Sequence, residues 1–217
     1  MSINYKRVIG IFTFFFVLLL CSCLGINTDI VLNQNGSGTI TLEYHISKAL
    51  DSLGKLDGNE RWNTIPVGRA DFERTLARLP DMKLLSFSSK EDEKDLIIHA
   101  KMEFSSTKGL LAFLDAGGRR SVFSGDGKSG SIALTLSEGT ENKNAGLAAL
   151  IAQISESYTF RMSMTFPGEG NLSVCDSKGT PLNSGNESVK KGKTVSCSLP
   201  LREILLSTEG IVVSFNW

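Results

Sequence analysis

The feature that most constrains this chain is an alternation of apolar and polar residues that recurs in pairs of segments. In "TDIVLNQNGSGTITLEYHIS", Ile30 and Leu32 precede a turn at Asn35-Gly36-Ser37-Gly38, and Ile40, Leu42, Tyr44 and Ile46 follow at every second position. Period two places those side chains on one face of a strand, and Asn-Gly supplies the positive φ angles that a tight hairpin needs. A second pair runs from Met82 to Ser89, through a charged turn "KEDEKD", into "LIIHAKMEF". There Leu96, Ile98, Ala100, Met102 and Phe104 alternate with His99, Lys101 and Glu103. The third pair, "RRSVFSGDGKSGSIALTLS", turns on Asp126-Gly127.

Helical patterns follow the pairs. After a mixed stretch in which Leu50, Leu53 and Leu56 suggest a short helix, "ADFERTLARLP" puts Phe72, Leu76 and Leu79 on one face, and Pro80 stops it. "TKGLLAFLDAGG" reads as a capped helix with Thr107 at its start and Gly117-Gly118 past its end. "NKNAGLAALIAQISES" places Leu147, Leu150, Ile151 and Ile154 at i, i+3, i+4 and i+7. The tail returns to strands: "YTFRMSMTFP", "NLSVCDS", "KTVSCSLPL", a short helix through Ile204 and Leu205, then "GIVVSFNW". Alternation implies one wet face, and the helices must cover the other. The expectation is an α+β fold: an antiparallel sheet built from successive hairpins, with three or four helices packed on one face.

The N-terminus belongs to a different environment. Lys6 and Arg7 precede an apolar run from Val8 to Leu20, thirteen residues interrupted only by Gly10 and Thr13. A membrane span needs about 20, so the run has the length of a signal-peptide core. An uncleaved anchor is the alternative. Leu20-Cys21-Ser22-Cys23 resembles the lipobox of bacterial lipoproteins, with an aliphatic residue at −3, a small one at −1 and then the acceptor cysteine. Taking Cys21 as acceptor puts bulky Leu20 at −1, so Cys23 fits better. The resemblance implies a diacylglycerol thioether on Cys23, cleavage after Ser22, and a further acyl chain on the new amine. Two or more chains anchor stably, at about 0.8 kcal/mol per buried methylene. The expected organisation is a cleaved signal at 1–22, a lipidated tether at 23–27 and a single extracytoplasmic domain at 28–217.

Charge removes one function class. Losing Lys6 and Arg7 from 23 basic residues leaves 21 against 23 acidic ones, a net charge of −2. That offers no electrostatic case for nucleic acid. Once Cys23 is acylated, Cys175 and Cys197 remain, an even pair that reads as a candidate disulfide in an exported protein. Two reduced thiols are the alternative. Cysteine and histidine spacing supports no metal site, and no cofactor motif appears.

Three stretches resemble the periplasmic domain of LppM-type bacterial lipoproteins. They are the hairpin "DIVLNQNGSGTITLEYHIS" directly behind the anchor cysteine, the strand "MTFPGEGNLSV" with its Pro167-Gly168 turn, and the closing block "KGKTVSCSLPLREILLS" with "GIVVSFNW". The likeness covers roughly the first 25 and last 60 residues of the mature chain. It departs from the family where Ser196-Cys197 stands in place of a frequent Trp, and where many members add a C-terminal membrane span. The resemblance implies an open fold likened to lipid-binding proteins, anchored in the cell membrane or outer membrane and facing the periplasm or exterior. It also implies a lipid or glycolipid groove lined by Leu147, Leu150, Ile151, Ile154, Met162 and Met164. Ordinary core packing is the other reading of those six residues.

Catalytic chemistry needs convergent reactive groups. His45 and His99, the two histidines, each fall on the polar phase of an expected strand. "GDGKSG" and "GEG" lack phosphate-loop spacing and read as turns, and no GxSxG elbow is present. The expectation is a non-enzymatic lipoprotein that binds an amphiphile. The alternative is a structural or protein-interaction lipoprotein of the envelope.

Overall fold

The computed structural model describes residues 24–48, 66–93, 95–115, 120–125, 129–139, 145–182 and 187–217. The lipobox, the Leu50–Leu56 helix and the turns at Gly117-Gly118 and Asp126-Gly127 lie outside these residues. The elements run β1 (Leu24–Leu32), β2 (Gly38–Ser47), α1 (Arg69–Leu76), β3 (Met82–Glu91), β4 (Asp95–Phe104), α2 (Thr107–Leu114), β5 (Ser121–Gly125) and β6 (Gly130–Ser137). Then come α3 (Ala145–Ser155), β7 (Thr159–Thr165), β8 (Asn171–Cys175), β9 (Glu187–Lys191), β10 (Thr194–Pro200), α4 (Leu201–Leu206) and β11 (Ile211–Asn216). Residues 24–27, expected as tether, form the first part of β1.

The expected single antiparallel sheet with helices on one face is overturned. Seven strands form one mixed sheet in the order β3-β4-β2-β1-β7-β10-β9, and four form a second in the order β5-β6-β11-β8. The mixed character comes from β1, which pairs antiparallel with β2 and parallel with β7. The hairpins do not add in series: the third, β5–β6, leaves the large sheet and joins β11 and β8. The physical reason is the width of the apolar face. In register, Met102, Ile40, Ile30, Met164 and Val195 make one continuous row across five strands, and all five are buried. The short helices do not cover so wide a surface. Over the β7–β10 half the small sheet supplies the cover, through Ile132, Leu134, Val174, Val213 and Phe215, in one core with the large sheet.

Over the β2–β4–β3 half, α1 and α2 do the covering. Phe72 of α1 is buried between Tyr44 and Phe87, with ring centroids 6.5 and 5.6 Å away. The Tyr44 hydroxyl donates to the Pro66 carbonyl. Burial, and then the Asp71 charge, push that phenol well above its usual range, which keeps it a neutral donor. Ser106 caps α2, its Oγ accepting from the Gly109 amide at 3.1 Å. The helix starts at Thr107, as expected, and the Thr107 hydroxyl donates to the Gly36 carbonyl in the β1–β2 turn at 3.3 Å. α3 packs on α4, which in turn contacts β10 and β6.

Candidate functional site

A concavity lies between α1 and α2. It has a volume of about 750 Å3 and is lined by Leu79, Leu111, Ala112 and Phe113, with Arg74, Arg78 and Lys108 around them. Sequence explains the split. On α1, Phe72 and Leu76 face the sheet, which leaves Arg74 outward, and Arg78 is exposed in the turn just after the helix. On α2, Leu110 is buried while Leu111 and Phe113 are only partly covered. The pairing of Asp81 with Ser105 and Ser106, at 3.1 and 2.7 Å, ties the residue just before β3 to the start of α2.

The groove is cationic. Arg74 pairs with Asp71 at 3.4 Å on an exposed surface, but among the described residues no ion pair engages Arg78 or Lys108. Asp115, the one carboxylate in the lining, is buried and turned inward. Its Oδ2 accepts from the amides of Arg120 at 2.6 Å and Ser121 at 2.8 Å, and from the Ser121 hydroxyl at 3.1 Å. Its carboxylate is thus held by the loop that leads into β5.

A second cluster lies on the opposite, wet face of the large sheet. There the register aligns His99, Glu43, Asn27, Arg161 and Ser198 in one row. Glu43 Oε1 accepts from Asn27 Nδ2 at 3.1 Å and lies 3.2 Å from His45 Nε2, while its Oε2 lies 3.2 Å from His99 Nδ1. Partial burial raises the Glu43 carboxyl, but the hydrogen bonds from His45 and Asn27 and the charges of both histidines outweigh that and hold it below the usual carboxylate range. His45 Nδ1 approaches Asp95 at 3.7 Å, and Asp95 also accepts from the Tyr158 hydroxyl at 3.2 Å. Among the described residues no group of three or more His, Cys, Asp or Glu side chains is arranged to hold a metal ion.

Met162 and Met164 lie in the continuous core, fully buried. Ile151 is buried on α3 but apart from that core. Leu147, Leu150 and Ile154 are also on α3, with side chains outside the described set, as is Cys23. Cys175 and Cys197 are both free, so the candidate disulfide is absent. They stand in different sheets, Cys175 opposite Val212 and Cys197 opposite Met162. Their phases also differ: Cys197 alternates inward with Val195 and Leu199, while Cys175 sits on the opposite phase of β8 from buried Val174.

The groove residues were missed because only the closeness in sequence of Arg74 on α1 and Arg78 just after it is local. Lys108 reaches the same rim through the packing of two helices. The histidine pair likewise needs the β2–β4 register.

Among known proteins, no family model matches the chain and no curated protein matches it. The fold is similar to the folded domain of LppM from Mycobacterium tuberculosis, solved by NMR, at a TM-score of 0.46 and 10% identity over 88% of each chain. Among the described residues no helix is long and apolar enough to cross a membrane.

Proposed function

We propose that this chain is a lipid-anchored envelope protein, held by acylated Cys23, whose groove between α1 and α2 binds an amphiphile without catalysing a reaction. The observation that carries this reading is the composition of the groove: an apolar floor of Leu79, Leu111 and Phe113 beside Arg78 and Lys108, two cations in no ion pair among the described residues. Its volume of about 750 Å3 lies within the range of small-ligand sites. An apolar chain would lie on the floor, and an anionic head would meet the cations. Met162 and Met164 are buried in the shared core, where Met162 lines a smaller cavity of about 200 Å3.

The test is uptake of fluorescent fatty acid, anionic phospholipid and a neutral analogue by delipidated protein. Uptake of the anionic probes that falls with salt, and falls further in Arg78→Glu/Lys108→Glu, supports the reading. Uptake of none of the three probes refutes it.

A second reading, an interaction module, is favoured by the edge strands. Val122 on β5 and Val189 on β9 are 68% and 57% exposed on strands that each have one unpaired edge.

A further inference from the structure

We propose that α3 lies against the bilayer that holds the N-terminus, an inference that rests on the anchoring part of the reading above. The apolar run at 8–20 and Cys23 both precede β1 directly, and β1 begins at Leu24. One residue spans at most ~3.6 Å, so an anchor at Cys23 brings the start of the sheet to the membrane surface with no spacer.

The topology identifies what else lies at that end. Leu24 pairs with Ile46, and Ile26 runs beside Phe160. Tyr158, two residues before Phe160, packs against Gly25, where an added Cβ would sit 3.4 Å from its ring. The Tyr158 amide donates to Ser155, the last residue of α3, and its carbonyl accepts from Leu201, the first of α4. Thr159 pairs with Pro200 at the same level. The paired helices α3 and α4 therefore join the sheet beside the residue where the chain enters from the anchor.

Composition then separates α3 from a water-facing helix. Its eleven residues, "AGLAALIAQIS", include no charged side chain, although Ala145, Gly146, Ala149 and Gln153 are exposed. α1, by contrast, carries Arg69, Glu73 and Arg74 on its exposed face, as a helix in water does. An uncharged, partly exposed helix beside a lipid anchor suits the boundary between headgroups and acyl chains, where apolar area adds to acyl anchoring. The opposite end of β1 leads into the exposed polar turn Asn33-Gln34-Asn35, about 26 Å away at the usual rise of a strand.

The experiment uses the full chain with its native anchor, reconstituted into vesicles containing brominated phosphatidylcholine. Tryptophan is introduced at one of two exposed sites, Ala149→Trp or Gln34→Trp, and the emission added over the parent chain is read. Bromolipid is expected to quench the emission added at position 149 and to leave that at 34 unchanged. A chain that floats with the vesicles but shows equal quenching at both sites, or none at 149, overturns the orientation alone. A chain that does not float overturns anchoring and orientation together.

Discussion

Trp217 lies flat on Phe166, with ring centroids 5.2 Å apart and planes 14° from parallel. Phe166 follows β7 of the large sheet and Trp217 follows β11 of the small one, so this stack joins the two sheets at the end of the core opposite Leu24. Phe123 of β5 stacks on Trp217 at 6.2 Å, and Trp217 exchanges both backbone hydrogen bonds with Gly130. Large-to-small changes at such positions cost about 3–5 kcal/mol, and Trp217→Ala is expected near the lower figure because the ring is only half-buried. The indole Nε1 is buried with no hydrogen-bond partner among the described residues. Trp217→Phe removes that unsatisfied donor along with some ring area, and should destabilise far less. Urea melts of the two variants check both; an equal loss would show that stacking area is not what the tryptophan contributes.

Gly38 is required by space, not by backbone angle. A Cβ there would lie 1.9 Å from the Val31 carbonyl oxygen and 2.5 Å from Phe104 Cζ. Both neighbours are fixed, one by the β1–β2 ladder and the other by burial in the core. Gly38→Ala is expected to destabilise by about 3 kcal/mol, the upper end for overpacking. Gly168→Ala, where an added Cβ meets nothing within 4 Å, is the control and should be near neutral. Thermal melts of the pair decide it.

Glu43 should give the fold a pH-dependent component. Its carboxyl is held below the ordinary 4.5 in the folded state, so the unfolded chain binds a proton more readily there. Stability from this group is then fully present above 4.5 and lost as pH falls through the lower folded value. Melts of the parent and Glu43→Gln from neutral pH down to acid should converge at the acid end. A gap that widens on acidification contradicts the sign.

The two thiols should behave differently. Burial pushes Cys197 up to about 11, leaving almost no thiolate at neutral pH, whereas Cys175 is only half-buried. In the native protein iodoacetamide should modify Cys175 and spare Cys197, with both modified after denaturation. Peptide mass spectrometry reads this directly. A linked peptide pair under non-reducing conditions would refute the free-thiol arrangement.

The lipobox register predicts a clear labelling pattern. Cys23→Ala should leave an uncleaved precursor and abolish incorporation of a fatty-acid probe, while Cys21→Ala should be labelled normally. The reverse pattern would move the acceptor to Cys21.

Much of the architecture was legible because strand phase is local. Alternation alone assigned Ile30, Ile40 and Met102 to buried faces and His99 and Lys101 to the wet one, since successive side chains must point to opposite sides of a strand. The Asn35-Gly36 turn was legible for the same reason: Gly36 adopts φ 78°, which few other residues tolerate. Tertiary structure alone decided which strands became neighbours. Nothing near Ile26 specifies Phe160 as its parallel partner, and nothing in "SVFSG" excludes it from the large sheet. Those choices depend on covering one wide apolar face, a property of the whole chain. The same step brought Lys108 to Arg78 and His99 to Glu43, and kept Cys175 from Cys197. Spacing along a sequence carries the direction of a side chain from its own backbone, whereas a site requires the distance between two backbones, which only packing sets.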